Sequence, residues 1–144
     1  MFIDWRIIRR PNNTTSDEKM VMTKNASIKW RSEPEQHDYP AAELYLSLTL
    51  GRQAAKNAVT KLKRAKISRF AAKDIFRASK LSLLGVSNIH VEKDRAKISQ
   101  HEQLSPLLLV RDKRNGVLVI ADGYHRLCAG YSFDEDATVP CKII

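Results

Sequence analysis

The reading of this chain turns on Val117-Leu-Val-Ile-Ala-Asp-Gly-Tyr-His-Arg-Leu-Cys-Ala-Gly-Tyr131. Its first five residues are apolar and rich in β-branched side chains, the pattern of a buried strand. Asp122-Gly123 breaks that strand, glycine being free to take positive φ, and residues 124–131 then read as a short helix. His125 and Arg126 fall in its first turn, beside free backbone N–H groups and the positive end of the helix dipole. That combination suits an anion, and phosphate above all. A solvated helix start capped by Asp122 accounts for the same residues.

Working outward, Leu104-Ser-Pro-Leu-Leu-Leu-Val110 is an apolar run that reads as a strand, with Pro106 near its start unable to donate to a ladder. Asp112-Lys-Arg-Asn-Gly116 supplies a hairpin turn, Asn115-Gly116 being a strong short-range hairpin signal. Val139-Pro-Cys-Lys-Ile-Ile144 closes the sheet. In order and spacing these segments, with Gly123, Arg126 and Ala129 as G-x-x-R-x-x-A, resemble the ParB/sulfiredoxin superfamily over residues 88–144. Asp122-Gly123-x-His125-Arg126 matches its variant with Asp before Gly and His before Arg.

The resemblance implies an α+β (α/β) domain with a small mixed sheet and a phosphate or nucleotide pocket. Gly123, Tyr124, His125 and Arg126 would line that pocket, with Lys93 and Lys97 offered from a helix at 91–102. A nucleotide such as CTP or ATP, with Mg, would be its cofactor. Some relatives of the Asp-Gly-x-His-Arg type act as nucleases or nucleotide hydrolases; here that chemistry would use His125 as acid/base and Asp122 to hold a divalent ion or orient His125. Tyr124 stands where sulfiredoxins carry their reactive Cys, which argues against sulfinic-acid reduction. The second consecutive basic residue and the upstream Arg-containing box of centromere-binding ParB proteins are missing, which argues against a CTP-gated clamp.

At 144 residues the chain is sized for one domain with a modest core. No apolar run reaches membrane-spanning length, so no membrane partner is expected. Met1-Phe-Ile-Asp-Trp-Arg lacks the order of a secretory signal, and a cytoplasmic location follows as the expectation. Cys128 and Cys141 read as reduced, buried thiols, and no Cys/His cluster has zinc spacing. Asp134, Glu135 and Asp136 form an acidic loop best explained by solvation.

The net charge of +9 is concentrated. Residues 52–80 hold ten Lys and Arg against the single acid Asp74, an electrostatic footprint for a polyanion. Residues 41–64 read as a helix whose stripe of Leu44, Leu48, Ala55, Val59 and Leu62 faces the core, interrupted at Gly51. A second helix is expected over 68–81, capped by Ser68 and packing Phe70, Ile75, Phe76 and Ala78. The organisation is therefore an arm (1–40), a basic helical hairpin (41–85) and the ParB/sulfiredoxin-like core (86–144). Within the arm, 2–8 reads as a strand and 11–17 as a loop, with Ile28 and Trp30 placed to dock on the core. The nucleic-acid candidates are Arg52, Lys56, Lys63, Arg64, Lys66, Arg69 and Lys73, making phosphate contacts with little sequence preference.

Three functions fit this sequence: a nucleic-acid-associated module of plasmid, phage or mobile-element type, compatible with a homodimer; a metal-dependent nuclease or nucleotide hydrolase; and a regulatory or assembly protein with an unused pocket.

Overall fold

A computed structural model describes residues 27–85 and 88–144. The strand and loop expected at 2–8 and 11–17 lie outside the described residues. The elements run α1 (Asp38–Leu50), α2 (Arg52–Arg64), β1 (Ile67–Ala71), α3 (Ala72–Ser79), α4 (Ile89–Ser99), β2 (Leu107–Asp112), β3 (Val117–Asp122), α5 (Tyr124–Phe133) and β4 (Thr138–Ile143). The fold is α+β, a mixed four-stranded sheet in the order β1-β4-β2-β3 with helices on both faces. β4 is antiparallel to β1 and parallel to β2, and β2–β3 is the expected hairpin. Among the described residues no helix is long and apolar enough to cross a membrane.

Strand alternation sorts the core into two layers. Leu107, Leu109, Ile120, Val139 and Cys141 pack with α3, α4 and α5, while Leu108 and Ala121 pack with α1 and α2. Ile28 and Trp30 dock on the first layer as expected, with Trp30 bridged to Leu104. At the hairpin turn the Asp112 carboxylate accepts from the Asn115 backbone N–H (3.1 Å) and side-chain amide (2.8 Å), and Gly116 takes φ +65°.

Two expectations for the basic half are corrected. The stretch 68–81 is not one helix: β1 occupies its start, and the helix begins only at Ala72. Pairing with β4 satisfies the β1 backbone, so tertiary context overrides local propensity. Ser68 is therefore no cap. The first N–H groups of α3 instead reach the carbonyls of Ala137 and Glu135, both at 2.9 Å. Consequently the basic segment is not a separate helical hairpin, because an edge strand of the sheet, β1, comes between α2 and α3. Phe70 and Ala78 are exposed, whereas Ile75 and Phe76 are buried as expected.

The second correction concerns 41–64. Gly51, at φ +82° and ψ 165°, ends α1 and restarts the chain as α2, so one helical phase cannot be carried across it. Ala55, Val59 and Leu62 are buried on α2, but α1 buries Tyr39, Ala42 and Leu46 and turns Leu44 and Leu48 outward.

Candidate functional site

The strand-to-helix corner forms as the sequence implies: β3 ends at Asp122, Gly123 takes φ +107°, and α5 starts at Tyr124. A bulge alters what it presents. Leu109 pairs with Ile120 but Leu108 pairs with Asp122, leaving Ala121 unpaired, and Asp122 is swung to the α1 side of the sheet. There it meets Asp38, the first residue of α1.

Arg126 reaches into the same spot. Its Nη2 donates to Asp122 Oδ2 at 3.0 Å and to the Pro106 carbonyl at 3.4 Å, and lies 3.9 Å from Asp38 Oδ2. Its side chain is only 16 % exposed, and its Nε is buried without a partner. Asp38, 3 % exposed, is held by the Ser105 hydroxyl and the Glu35 backbone N–H (3.1 Å). Burial raises the Asp122 carboxyl above its usual range, the Arg126 guanidinium opposing that shift and the Asp38 carboxyl adding to it.

This geometry corrects the role expected of Arg126. The guanidinium is no solvent-facing fork, because two carboxylates already claim it. Gly123 is likewise explained from within: a Cβ there would lie 2.8 Å from Leu107 Cγ and 2.9 Å from Arg126 Nη2. At an effective dielectric of about 20, a phosphate oxygen roughly 4 Å from ionised Asp122 meets ~4 kcal/mol of repulsion, which one guanidinium at equal distance only cancels. The Tyr124 hydroxyl is also engaged, donating to the Ser82 carbonyl. The corner is a clasp joining the α5 layer to the α1 layer around the end of the sheet.

On the outer side of α5 lies a second set of titratable groups. The His125 ring centroid is 4.9 Å from that of His90 and 5.7 Å from that of Tyr124. Burial, then the neighbouring His90, holds the His125 imidazole below its ordinary range, with Asp94 pulling the other way. Asp94 is raised by burial against the attraction of Arg126, Lys97 and the two histidines. Asn88 positions α4 by accepting from the backbone N–H groups of His90 (2.9 Å) and Val91 (3.2 Å). Lys93 and Lys97 are exposed on α4, and Lys97 acts electrostatically on Asp94.

The basic residues form a surface. Arg52, Lys56, Lys63, Arg64, Lys66 and Arg69 are all exposed, and among the described residues none has a carboxylate oxygen within 4.0 Å. Arg52, Lys56 and Lys63 line an open cleft of about 770 Å³ between α1 and α2. Arg69 lies opposite Pro140 in the antiparallel ladder, on the sheet face that α2 covers. Lys73 leaves this set, because its ammonium pairs with Asp136 at 2.6 Å and is raised by that hydrogen bond. Lys61, Lys63 and Arg64 also complement the α2 dipole from its last turn.

Sequence reading passed over Glu35, His37, Asp38, Ser105 and Asp94. The first three bring ligand-type atoms within 4.8 Å of one another. His37 Nε2 sits 3.1 Å from Glu35 Oε2 and 3.4 Å from Asp38 Oδ1. The His37 Nε2 lies between both carboxylates without any ion, so this set by itself requires no metal. Cys128 and Cys141 are buried free thiols; burial pushes Cys141 up to about 11, leaving it inert near neutral pH. No family model, curated protein or solved structure matches the chain.

Proposed function

We propose that the protein binds nucleic acid through the phosphate backbone, using the outer face of α2 and the adjoining edge strand β1. One observation carries this reading: six cations, Arg52, Lys56, Lys63, Arg64, Lys66 and Arg69, stand exposed on contiguous elements, and among the described residues none has a carboxylate partner. Like charges gathered this way repel one another, and a polyanion relieves the repulsion while releasing its own counterions. Binding of this type positions the protein on nucleic acid without reading bases. The resemblance to ParB/sulfiredoxin proteins points to the same class of partner.

Fluorescence anisotropy with a labelled duplex over a series of salt concentrations tests the reading. If all six cations meet phosphates, the slope of log K against log salt approaches about −5, at roughly 0.9 per contact. Lys56→Ala/Lys63→Ala/Arg69→Ala shallows that slope by about 2.7 and weakens all sequences alike. Absence of binding at low salt, or unchanged affinity in the triple variant, rules the reading out.

A second reading rests on the α4–α5 cluster. A buried-edge His125 held neutral near physiological pH, beside His90 and Asp94, is suited to act as a base in hydrolysing a nucleotide or nucleic-acid phosphate. Turnover of CTP, ATP or single-stranded DNA with Mg²⁺, abolished by His125→Ala, would establish it; its absence leaves the binding module alone.

A further inference from the structure

We infer that the cleft between α1 and α2 takes one unstacked base, guanine above the others, so that the nucleic acid held by the basic face is single-stranded. This rests on the phosphate-binding reading above and adds to it an element that reads a base. The cleft encloses about 770 Å³, within the size range of small-molecule sites. Its two walls differ in charge. Arg52, Lys56 and Lys63 line it from α2, all three exposed, and among the described residues none has a carboxylate partner. Glu43 lines it from α1, half-buried, and among the described residues it has no ion pair. Leu44 of α1, 72 % exposed, and Val59 of α2 add apolar surface.

Cations, apolar surface and one carboxylate in a single cleft match the parts of a nucleotide. The three cations belong to the phosphate-binding set, so a strand tracking that set passes the mouth of the cleft. The apolar side chains receive the face of a base turned out of its stack. Glu43 decides the occupant. Its carboxylate repels a phosphate, and it repels an acidic peptide in the same way, whereas the edge of a base brings N–H donors to it.

An ionised carboxylate only accepts hydrogen bonds, through two oxygens side by side. Guanine carries two adjacent donors, N1–H and the N2 amino group, one for each oxygen. Cytosine and adenine offer an amino group without a second donor next to it, and thymine offers only N3–H. In a duplex the guanine N1–H is already given to cytosine, and the stacked base cannot enter a cleft between two helices. An unpaired strand leaves that edge free, and single strands are read on it.

Fluorescence anisotropy with the full chain, at one low salt concentration, compares four labelled probes of equal length. They are a thymine strand carrying isolated guanines, an all-thymine strand, an abasic strand and a duplex. The guanine-bearing strand is expected to bind about 5- to 100-fold tighter than the all-thymine strand, the discrimination of a bidentate contact. Glu43→Gln, which turns one acceptor into a donor, removes that advantage with an unchanged circular dichroism spectrum, while affinity for the abasic strand holds or rises. Equal affinity for guanine-bearing and abasic strands overturns the inference. So does a guanine preference that survives Glu43→Gln, a duplex bound more tightly than any single strand, or a strand displaced as readily by polyglutamate as by unlabelled strand. Where the abasic strand or the duplex still binds in those cases, phosphate binding stands without the base-reading cleft; loss of binding to all four probes removes both.

Discussion

Replacing Arg126 by Met separates a clasp from a phosphate ligand. Met keeps an apolar stem in the space but removes the guanidinium that lies 3.0 Å from Asp122 and 3.9 Å from Asp38. Two carboxylates, 19 % and 3 % exposed, then face each other, with the Ser105 hydroxyl, one backbone N–H and the exposed His37 imidazole, 3.4 Å from Asp38, as remaining donors. Stranding a buried partner costs about 3–5 kcal/mol, and the partial opening of this site puts the loss near the lower end. A ceiling follows independently. One carboxyl can take up a proton, and lifting its pKa from about 3.9 to neutrality requires roughly 4 kcal/mol at 1.36 per unit. The expected loss near pH 7 is therefore about 3–4 kcal/mol, a large part of a typical domain's 5–15. It also carries a pH signature. The stranded carboxyl has a folded pKa raised above its unfolded value, so its stability is intact below the unfolded pKa and lost as pH rises through the folded one. The deficit of the variant must shrink toward acid. Urea unfolding followed by far-UV circular dichroism, at neutral and mildly acidic pH, reads both quantities. A loss under about 1 kcal/mol that does not change with pH would refute the clasp and return Arg126 to the surface as a ligand.

Gly123→Ala is expected to lose about 2–3 kcal/mol, because φ +107° disfavours any side chain and the new methyl meets Leu107 and Arg126; a change under about 0.5 kcal/mol in urea unfolding contradicts the packing described. Lys142→Met should cost at most about 1 kcal/mol although the side chain is buried: its partners are the Lys63 carbonyl at 2.9 Å and the exposed Glu33 at 3.0 Å, and water can take over Glu33. A loss as large as that of Arg126→Met would show that exposure of the stranded partner is not what sets the penalty. His125 has its folded pKa depressed, so its contribution is complete above the unfolded value near 6.5 and erodes as pH falls through the folded one. The difference in melting temperature between wild type and His125→Asn should therefore vary with pH below neutrality, and an NMR titration placing His125 above about 6.5 would reverse that expectation.

Much of the core was legible because its signals are short-range. The β2–β3 hairpin was announced by Asn115-Gly116 and two apolar runs, and the α5 start by Asp122-Gly123. Ile75, Phe76, Ala55, Val59 and Leu62 were rightly placed inside. Leu44 and Leu48 were not, because periodicity was carried through Gly51, where the helix restarts. β1 was missed because Ile67-Ser-Arg-Phe-Ala71 has no strong preference of its own and becomes a strand only by pairing with β4. At the site, the residue types at 122, 123, 125 and 126 were identified from spacing, but the direction of Arg126 was not, since nothing local names Asp38 as a neighbour.

The amino-acid sequence by itself determined the hairpin, the glycine turn into α5 and the crowding of cations between Arg52 and Arg69, because each depends on residues within a few positions of one another. Tertiary structure alone decided that β1 joins the sheet and that the bulge at Ala121 turns Asp122 toward α1. It alone decided that Ser105 and Asp38, 67 residues apart, build the pocket for an inward guanidinium. Periodicity and turn chemistry act over one or two turns of chain. The partner of a buried charge is chosen by whichever layers the fold presses together.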